Sequence, residues 1–429
     1  MSSQFSFKQT KTDRMPEDWE MVRLVNHVDV YSGYAFKRQD FLTDKSKGIP
    51  IIKIGNLQNG TVIIDDNTSY VAKDFYEKFP DFKLHSGDVL IALSGATTGK
   101  IAVANKNLGL VLVNQRVGKF KIVDSKKIIQ QFFYYFAQSE NFRRFIFRNI
   151  GQSAQGNLSP SQILNSEFLI PPLPEQKKIA EILSIVDRAI QKVDEAIEKT
   201  KRLKKGLMQE LLTKGIGHKE LRETEIGRIP KEWEVVKLGE IANVRYGLGQ
   251  PPALETNGIP MIRATNVKRG KIVREGLIFL SPGAVPKSRD PFLRVGDILV
   301  VRSGAYTGDV ALVTKEWDGA VAGYDLIVTP LDTINSQFLA YYLLSSSVQK
   351  RYFFGLKVRS AQPHLNSSQV EETPIPLPSL SEQRQIARIL GVVDRRIELL
   401  GNRKQRLGRI KKGLMNDLLT GRKRVRLEA

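Results

Sequence analysis

The fold is decided by the stretch Pro171-Pro172-Leu173-Pro174-Glu175-Gln176 and by the long run that follows it to Thr213. Proline cannot continue a helix but is tolerated in its first turn, and Glu175 to Thr213 contains no proline. Apolar residues recur in this run at steps of three, four and six: Ile179, Leu183, Val186, Ile190, Val193, Ile197, Leu203, Leu207 and Leu211. A narrow stripe of this kind is typical of a coiled-coil seam, so the run predicts one long helix that needs a partner.

A second run of the same kind follows Pro376-Leu377-Pro378, with Glu382-Gln383 in the place of Glu175-Gln176. Its stripe comprises Ile386, Leu390, Val393, Ile397, Leu400, Leu407, Ile410, Leu414 and Leu418. One such stripe is usually ordinary core packing. Two matched runs in one chain predict two long helices that pair with each other.

The repeat extends beyond the helices. Ile-Pro-Lys-Glu-Trp-Glu at 229–234 echoes Met-Pro-Glu-Asp-Trp-Glu at 15–20, and Gly-Asp-Ile-Leu-Val at 296–300 echoes Gly-Asp-Val-Leu-Ile at 87–91. Each half therefore holds one globular domain and one helix. The predicted boundaries are a first domain at 1–170, a helix at 171–214, a second domain at 215–375, a helix at 376–421 and a basic tail at 422–429.

Within each globular domain, short β-like runs alternate with turn residues and one helical candidate. The strand candidates are 49–54, 89–93, 101–104 and 117–123 in the first domain, and 259–264, 298–301, 310–313 and 326–329 in the second; the helical candidates are 128–138 and 335–345. The predicted fold class is α+β: two tandem mixed α/β domains separated by two long helices that pair as an antiparallel coiled coil, with internal pseudo-twofold symmetry.

The composition of the 429 residues points to a polyanionic partner, because the formal net charge is +21. Such a chain is attracted to nucleic acid with an affinity that depends on salt. Cysteine is absent, the four histidines show no metal-ligand spacing, and neither a signal peptide nor an apolar span is evident. We expect a cytoplasmic protein with no membrane contact, no bound metal and no cofactor of its own.

No catalytic residue is predicted, because every candidate motif is incomplete. The glycine-rich stretch Gly95 to Lys100 has one residue too few for a phosphate-binding loop, and its second copy has Asp309 in the place of the lysine. A tight turn between two strands explains these glycines better. The pairs Pro171-Pro172 and Pro251-Pro252 lack the preceding Asn or Asp of an amino-methyltransferase loop.

Taken together, these features make the chain resemble the DNA specificity subunit of type I restriction–modification systems over nearly all its length. The marks are the Pro-Leu-Pro leads into Glu-Gln, the Lys-Lys-Gly-Leu-Met ends of both helices, and the Ile/Met-Pro-x-x-Trp-Glu and Gly-Asp-Ile/Val-Leu elements of both domains. The resemblance implies that each domain is a target-recognition domain reading one half of a split site in double-stranded DNA. It also implies that the helices fix the spacing and dock methyltransferase subunits, and that restriction subunits join through that complex. AdoMet, ATP and Mg²⁺ are then expected on those partner subunits only.

An antiparallel helix pair would place the two readers at opposite ends of a spacer. Such readers suit half-sites about one DNA turn, roughly 34 Å, apart on one face of the duplex. The pseudo-symmetry favours two copies of the methyltransferase subunit. Because the domains are related but not identical, the predicted site is bipartite and non-palindromic.

Candidate DNA-binding residues lie in loops rich in side chains that suit base edges, with Arg or Lys for guanine and Asn or Gln for adenine. In the first domain they are Lys53, Asn56, Ser94, Thr97, Thr98, Lys100, Gln115, Arg116, Gln152, Gln155 and Asn157. In the second domain they are Arg263, Asn266, Arg302, Ser303, Tyr306, Thr307, Arg359, Gln362 and His364. The matching loops around Gln155 and Gln362 are the strongest candidates, whereas the lysine runs on the helices are typical of solvated faces.

Two other functions remain open from the sequence. One is a self-sufficient DNA-modifying enzyme with an unrecognised site, and the other is a coiled-coil scaffold that binds no DNA.

Overall fold

The computed structural model describes residues 7–9, 14–150, 156–249, 254–286, 288–354 and 364–427. The chain divides into two compact units: Met1–Val193 with Arg403–Ala429, and Asp194–Asn402. Each unit therefore contains one mixed α/β domain, the start of one long helix and the end of the other.

The first unit is built on a six-stranded sheet of order β4-β12-β9-β10-β7-β6 and a three-stranded sheet of order β11-β5-β8. Its strands are β1 (Phe7–Gln9), β2 (Arg14–Pro16), β3 (Glu20–Arg23), β4 (Val28–Ser32), β5 (Gly48–Ile52), β6 (Leu57–Gln58), β7 (Thr61–Val62), β8 (Ser69–Ala72), β9 (Val89–Ala92), β10 (Ile101–Val103), β11 (Leu112–Val113), β12 (Val117–Ile122) and β13 (Glu167–Ile170). Its helices are α1 (Asp74–Lys78), α2 (Gln130–Ala137), α3 (Glu140–Ile150), α4 (Pro160–Leu164) and the first part of the long helix α5 (Leu173–Lys214).

The second unit repeats this plan with two four-stranded sheets, of order β17-β26-β23-β24 and β18-β22-β19-β25. Its strands are β14 (Leu221–Thr224), β15 (Gly227–Pro230), β16 (Glu234–Lys237), β17 (Ala242–Tyr246), β18 (Leu254–Glu255), β19 (Ile259–Ile262), β20 (Val267–Lys268), β21 (Lys271–Ile272), β22 (Ile278–Leu280), β23 (Ile298–Val300), β24 (Val310–Leu312), β25 (Val321–Ala322), β26 (Leu326–Pro330) and β27 (Pro374–Leu377). Its helices are α6 (Leu238–Ile241), α7 (Ser336–Leu343), α8 (Ser346–Val348), α9 (Ser367–Glu371) and the first part of the long helix α10 (Leu380–Leu418).

The two domains share their strand order. The run β4-β12-β9-β10 recurs as β17-β26-β23-β24, and the parallel pair β5–β11 recurs as β19–β25. All eight predicted strands and both predicted domain helices are confirmed, with ends that differ by at most two residues. The sequence repeat is thus a repeat of the fold.

The Gly-Asp-Val-Leu-Ile motif feeds the central strand β9, which is buried on both faces. Val89 and Ile91 pack into the core under α2 and α3, whereas Leu90 and Ala92 pack into the core between the two sheets. Side chains alternate between the two faces of a strand. A continuous apolar run therefore fills two cores when both faces of its strand are covered by other elements.

The two long helices run antiparallel within each unit. In the first unit, Ile179 and Leu183 of α5 share a core cluster with Leu418 of α10, and Asp187 farther along α5 pairs with Lys411 earlier in α10. Residue numbers therefore rise on one helix as they fall on the other. The second unit repeats this arrangement, with the end of α5 against the start of α10. The predicted antiparallel pairing is confirmed.

The predicted stripe residues are withdrawn from solvent along most of both helices. Ile179, Leu183, Val193, Ile386, Leu390 and Val393 are buried, and Val186, Ile190, Ile197, Ile397, Leu400 and Leu407 are half-buried. The stripe was extended wrongly to Leu203 and Ile410, whose side chains are 55% and 52% exposed. The neighbouring lysines, Lys204 and Lys411, instead point towards the opposite long helix and pair with its aspartates.

Those two lysines, predicted to be solvated, belong to a repeated cluster. Lys411 Nζ lies 2.6 Å from Asp187 Oδ1, and the other carboxylate oxygen of Asp187 accepts a hydrogen bond from the Tyr135 hydroxyl at 3.0 Å. Lys204, Asp394 and Tyr341 repeat this cluster in the second unit, with Nζ and Oδ1 2.6 Å apart. Each cluster joins a domain helix to both long helices.

The glutamate of each Glu-Gln motif anchors the opening segment of its domain. Glu175 accepts a hydrogen bond from the indole nitrogen of Trp19 at 3.0 Å, and Glu382 accepts one from Trp233 at 3.1 Å. Both tryptophans are fully buried. This contact explains why the Trp-Glu and Pro-Leu-Pro…Glu-Gln motifs recur together.

The glutamine of each motif is also fully buried and fixes the domain helix. Gln176 Oε1 accepts from the backbone N–H of Ile129, which caps α2, and its amide donates to the Pro171 carbonyl at 2.9 Å. Gln383 accepts from the backbone N–H of Asn335, the cap of α7, at 2.7 Å. Both ends of the amide are satisfied, as burial requires.

A basic side chain from the segment after the opposite long helix completes each anchor. Arg424 contacts Glu175 with two nitrogens at 2.7 Å each and also contacts Asp18. In the second unit His218 takes this place, with one ring nitrogen 2.9 Å from Glu382 and the other 3.1 Å from Glu232. The start of the basic tail is thus a structural element of the first unit.

A glycine ends each long helix where these segments converge. Gly215 has a φ of +68°, and a Cβ atom there would lie 2.5 Å from Glu382 Oε1 and 2.6 Å from the Trp233 ring. Gly421, with a φ of +74°, would clash in the same way with Pro16. Glycine is required for both the left-handed backbone and the close approach.

The seam predicts a sharp contrast between two neighbouring substitutions. Leu183→Asp places an unpaired charge at a fully buried position, so we expect the free energy of unfolding to fall by about 3 kcal/mol or more. Ile185→Asp, at a side chain that is 57% exposed, should change it by less than about 0.5 kcal/mol. Chemical denaturation followed by circular dichroism measures both, and equal losses would contradict the seam.

The tail anchor predicts a second contrast. Arg424→Ala leaves the Glu175 carboxylate, which is 1% exposed, without its cation, so stability should fall by about 3 kcal/mol. Arg426→Ala removes an exposed charge two residues away and serves as the control. Thermal unfolding compares the two, and a tail that merely contacts solvent would give the same midpoint for both variants.

Candidate nucleic-acid interface

Each domain carries an open cleft next to a Ser-Gly-Ala turn, at 94–96 in the first domain and at 303–305 in the second. In the first domain the cleft encloses about 810 Å³ at the end of β4 and after β9. Its lining comprises Ser32, Gly33, Ala35, Leu93, Ser94, Gly95, Gln115, Arg116, Asn157, Leu158 and Pro160. Four of the predicted DNA-binding residues, Ser94, Gln115, Arg116 and Asn157, meet here.

The second domain has a cleft of about 700 Å³ at the end of β17 and after β23. Its lining comprises Arg245, Tyr246, Gly247, Gly249, Arg289, Asp290, Arg302 and Tyr324. Arg302 is the predicted residue in this set, and the predicted His364 contacts it.

The two clefts occupy equivalent places in the two domains. The backbone N–H of Leu158 donates to the Leu93 carbonyl at 2.8 Å, and that of Leu365 donates to the Arg302 carbonyl at the same distance. The equivalent lining positions carry different side chains: Ser32 and Tyr246, Leu93 and Arg302, Asn157 and His364, with the pair Gln115-Arg116 in the place of Tyr324. The framework is conserved between the halves of the chain, and the lining is not.

The glycine-rich stretch beside each cleft is the tight turn that the sequence indicated. Gly95 and Gly304 have φ values of +86° and +83°. The hydroxyls of Thr98 and Thr307 donate to the carbonyls of these glycines at 2.6 Å and 2.7 Å. The hydroxyl protons of these two threonines are therefore engaged within the turn. Thr97 and Lys100 are exposed beside it.

The second cleft is dominated by one guanidinium group. The Arg302 Cζ atom lies 4.7 Å from the centre of the Tyr246 ring and 4.5 Å from that of Tyr324. One of its terminal nitrogens contacts Nε2 of His364. Burial and, secondly, the Arg302 charge lower the pKa of His364, which keeps its Nε2 available as an acceptor at neutral pH.

A buried carboxylate lies behind this arginine. Asp325 is 2% exposed, and its Oδ1 accepts the backbone N–H of Arg302 at 3.3 Å, while Oδ2 has no protein partner among the described residues. Burial raises the pKa of Asp325 to about 6, although the Arg302 N–H and charge oppose that shift. At neutral pH the carboxylate is therefore mostly ionised and attracts the guanidinium.

The first cleft is polar without an aromatic clamp. Gln115, Arg116 and Asn157 are exposed at its rim, and the buried Leu93 stands where the second cleft has Arg302. The Ser94 hydroxyl oxygen is buried with no partner among the described residues. Amide and guanidinium groups at this rim can bond to base edges.

Several predicted DNA-binding residues are instead part of the framework. Asn56 is 5% exposed and Asn266 is fully buried. Asn56 accepts the Lys53 N–H and donates to the Ile63 carbonyl and the Thr68 hydroxyl. Asn266 accepts the Arg263 N–H and donates to the carbonyls of Val273 and Glu275. Both amides are occupied inside the fold, so we assign them a structural role.

Lys53, Arg263 and Thr307 are also held by their own domains. Lys53 Nζ donates to the Ser69 hydroxyl at 2.8 Å, and Arg263 donates to the Gly276 carbonyl at 2.6 Å. Burial lowers the pKa of Lys53. Thr307 is 2% exposed.

Of the remaining predicted residues, the structure describes two and leaves four undescribed. Tyr306 is 39% exposed, and Ser303 forms a β-bridge with His364. Gln152, Gln155, Arg359 and Gln362 lie outside the described residues.

Tyr246 and Tyr324 were missed from the sequence. Neither residue recurs in the first domain, where Ser32 stands in the place of Tyr246 and Gln115-Arg116 in the place of Tyr324. The signal that could have found Tyr246 is its difference from Ser32 beside the repeated glycine, Gly33 and Gly247.

Other classes of site are not evident in the part of the chain that the structure describes. There, no helix combines the length and apolar character needed to cross a bilayer. The described His, Asp and Glu side chains include no group of three placed to hold a metal ion.

Comparison with known proteins gives one consistent family. The family model described as the type I restriction modification DNA specificity domain matches residues 16–200 and 230–409. The MjaVIII specificity subunit of a type I restriction enzyme from Methanocaldococcus jannaschii is 30% identical, over 98% of this chain and 96% of that protein. The MjaX specificity subunit of the same organism, a putative one, is 30% identical over 98% of this chain and 97% of that protein.

Among solved structures, a type I restriction–modification S subunit from M. genitalium aligns with a TM-score of 0.57 at 16% identity. That alignment covers 96% of this chain and 98% of the other and supports the fold. With two matched domains and relatives of nearly equal length, the chain belongs to the family of type I restriction–modification DNA specificity subunits.

Proposed function

We propose that this chain, a DNA sequence-specificity subunit, reads a bipartite and asymmetric DNA site through its two clefts, one half-site per domain. The observation that carries the proposal is the pair of equivalent clefts with different polar linings. A shared framework holds both readers in the same way, while unlike side chains give them unlike targets.

The charge of the chain supports DNA as the ligand. A formal net charge of +21 supplies the attraction to phosphates that dominates affinity, and cleft residues such as Gln115, Arg116 and Arg302 supply donors for base edges. Phosphate contacts position the protein on DNA, and base contacts specify the sequence.

The matched helices support a duplicated protein partner. Ile185 and Val392 stand at equivalent positions of α5 and α10 and are 57% and 63% exposed. Exposed apolar side chains at repeated positions suit two copies of one partner. We assign them to two methyltransferase subunits, with restriction subunits joining through these.

Catalysis is then assigned to those partners. The methyl donor AdoMet, and ATP and Mg²⁺ for cleavage, would be held by them, and this chain would act by recognition alone in the cytoplasm, where the DNA lies. Methyl transfer to DNA by this chain without partners would favour the alternative of a self-sufficient modifying enzyme.

The first cleft predicts a change confined to one half-site. Gln115→Ala with Arg116→Ala removes exposed donors from its rim, so we expect relaxed specificity in one half-site and an unchanged second half-site. The measurement is a map of methylated positions in DNA treated with the complex of this chain and its methyltransferase subunits.

Lys126→Ala, at an exposed lysine of the same domain outside the cleft, is the matched control and should leave both half-sites unchanged. A double variant that alters both half-sites equally, or neither, would contradict the assignment of one cleft to one half-site.

The charge predicts a steep salt dependence. If the complex contacts six or more phosphates, raising the salt from 50 to 200 mM weakens duplex binding about a thousandfold, because bound counterions are released. Fluorescence anisotropy with a labelled duplex measures this. Affinity that stays constant with salt would favour the scaffold that binds no DNA.

A further inference from the structure

We propose that Arg302 reads a guanine at one fixed position of the half-site bound by the second domain, and that Tyr246 and Tyr324 hold its guanidinium plane in place for this contact. The inference rests on the function proposed above and goes beyond it by naming a base and the side chain that selects it.

The geometry is that of a clamp. The guanidinium carbon lies within 4.7 Å of both tyrosine ring centres, so both rings contact the group. Asp325 fixes the arginine backbone through its N–H, and His364 accepts from one terminal nitrogen. Arg302 is therefore held at its backbone N–H, at its guanidinium group and at one terminal nitrogen.

Its hydrogen-bonding capacity is not exhausted. Nε is buried without a protein partner, and Nη1 has no protein acceptor among the described residues. The terminal edge of Arg302 thus retains donors, and the group lines an open cleft. A guanidinium group can donate but cannot accept, so the complementary ligand must present acceptors.

Guanine is the base that fits a planar pair of donors. Its major-groove edge offers two adjacent acceptors, O6 and N7, whereas adenine offers one acceptor beside a donor, cytosine a donor, and thymine one acceptor beside a methyl group. The clamped plane of Arg302 matches the guanine pair and would face an unpaired donor on adenine or cytosine.

A phosphate contact explains the clamp less well. Phosphates can be approached from many directions, and a flexible lysine or arginine suffices for them. Two aromatic rings that fix the orientation of an arginine remove rotamer freedom before binding, which favours a directional contact. The two tyrosines therefore serve to orient the guanidinium group, which a simple charge contact would not need.

A purely structural role is also disfavoured by the first domain. There Leu93 occupies the position of Arg302 and its carbonyl accepts the same backbone bond from the following segment, with Ser32 in place of Tyr246 and Gln115-Arg116 in the place of Tyr324. The fold of a recognition domain thus needs neither the arginine nor its clamp.

The test combines protein and DNA substitutions. The complex of this chain with its methyltransferase subunits is titrated with duplexes that carry its mapped target and with duplexes in which each position of the second half-site is changed. For the native chain, we expect replacement of one guanine to weaken binding about 10- to 100-fold. Arg302→Leu, which installs the residue of the first domain, should make that replacement neutral while every other position keeps its effect.

Two further variants separate the clamp from simple charge. Tyr324→Gln, which removes one of the two rings, should lower the preference for that guanine with Arg302 still present. Arg289→Ala removes another arginine from the same cleft and should weaken binding equally on all duplexes. Retained discrimination within the first half-site shows that each variant complex is folded.

The outcomes distinguish this inference from the proposed function. If Arg302→Leu relaxes a position that is not guanine, or weakens all duplexes equally while the Gln115 and Arg116 variant still alters the first half-site, the guanine assignment is wrong and the clefts remain the readers. If neither cleft affects base preference, both proposals fail.

Discussion

The structure depends on a carboxylate withdrawn from water and a fully buried amide side by side at the start of each long helix, with the side chains of Glu175 and Glu382 1% and 13% exposed. An ionised carboxylate removed from water is strongly destabilising unless it is paired and hydrogen-bonded. Glu175 meets this requirement with the Trp19 indole and with Arg424, which arrives from the segment after the opposite helix. Gln176 beside it holds the cap of the domain helix α2. Four segments that are distant in sequence are thus fixed at one point, and the orientation of each domain relative to the start of its helix follows from that point.

The second unit meets the same requirement with one change of chemistry. Glu382 is paired with Trp233 as expected from the repeat, but His218 stands where the first unit has Arg424, and its two ring nitrogens lie within 3.1 Å of carboxylate oxygens. The Tyr–Asp–Lys clusters then fasten each domain helix to both long helices farther along. Because both units use the same two fastenings, duplication of the sequence has duplicated the attachment of reader to helix and not only the reader.

The sequence predicted the features that depend on periodicity and repetition: the long helices, their antiparallel pairing, and the central strands of each domain. A repeat strengthens such predictions, since a pattern seen twice is unlikely to be accidental. It misled where a polar residue recurs for structural reasons. Asn56 and Asn266 have the side chain of an adenine reader, and only the fold shows that their amides bond to the backbone. Lys204 and Lys411 were missed for the converse reason, because a charged residue in a lysine run gives no sign of a buried partner.

The candidate site was hardest to predict because the side chains that line the two clefts differ between the domains. Repetition identifies what two halves share, and here the shared residues build the frame: tryptophan, the Glu-Gln pair and the glycine turns. Residues that select a base must differ between two readers of different half-sites, so they are absent from any internal alignment. Leu93 and Arg302 show the consequence, since they occupy one framework position and have opposite chemistry. Specificity can therefore change at the cleft without disturbing the anchors, because no cleft side chain takes part in the Trp–Glu or Tyr–Asp–Lys contacts that the structure describes.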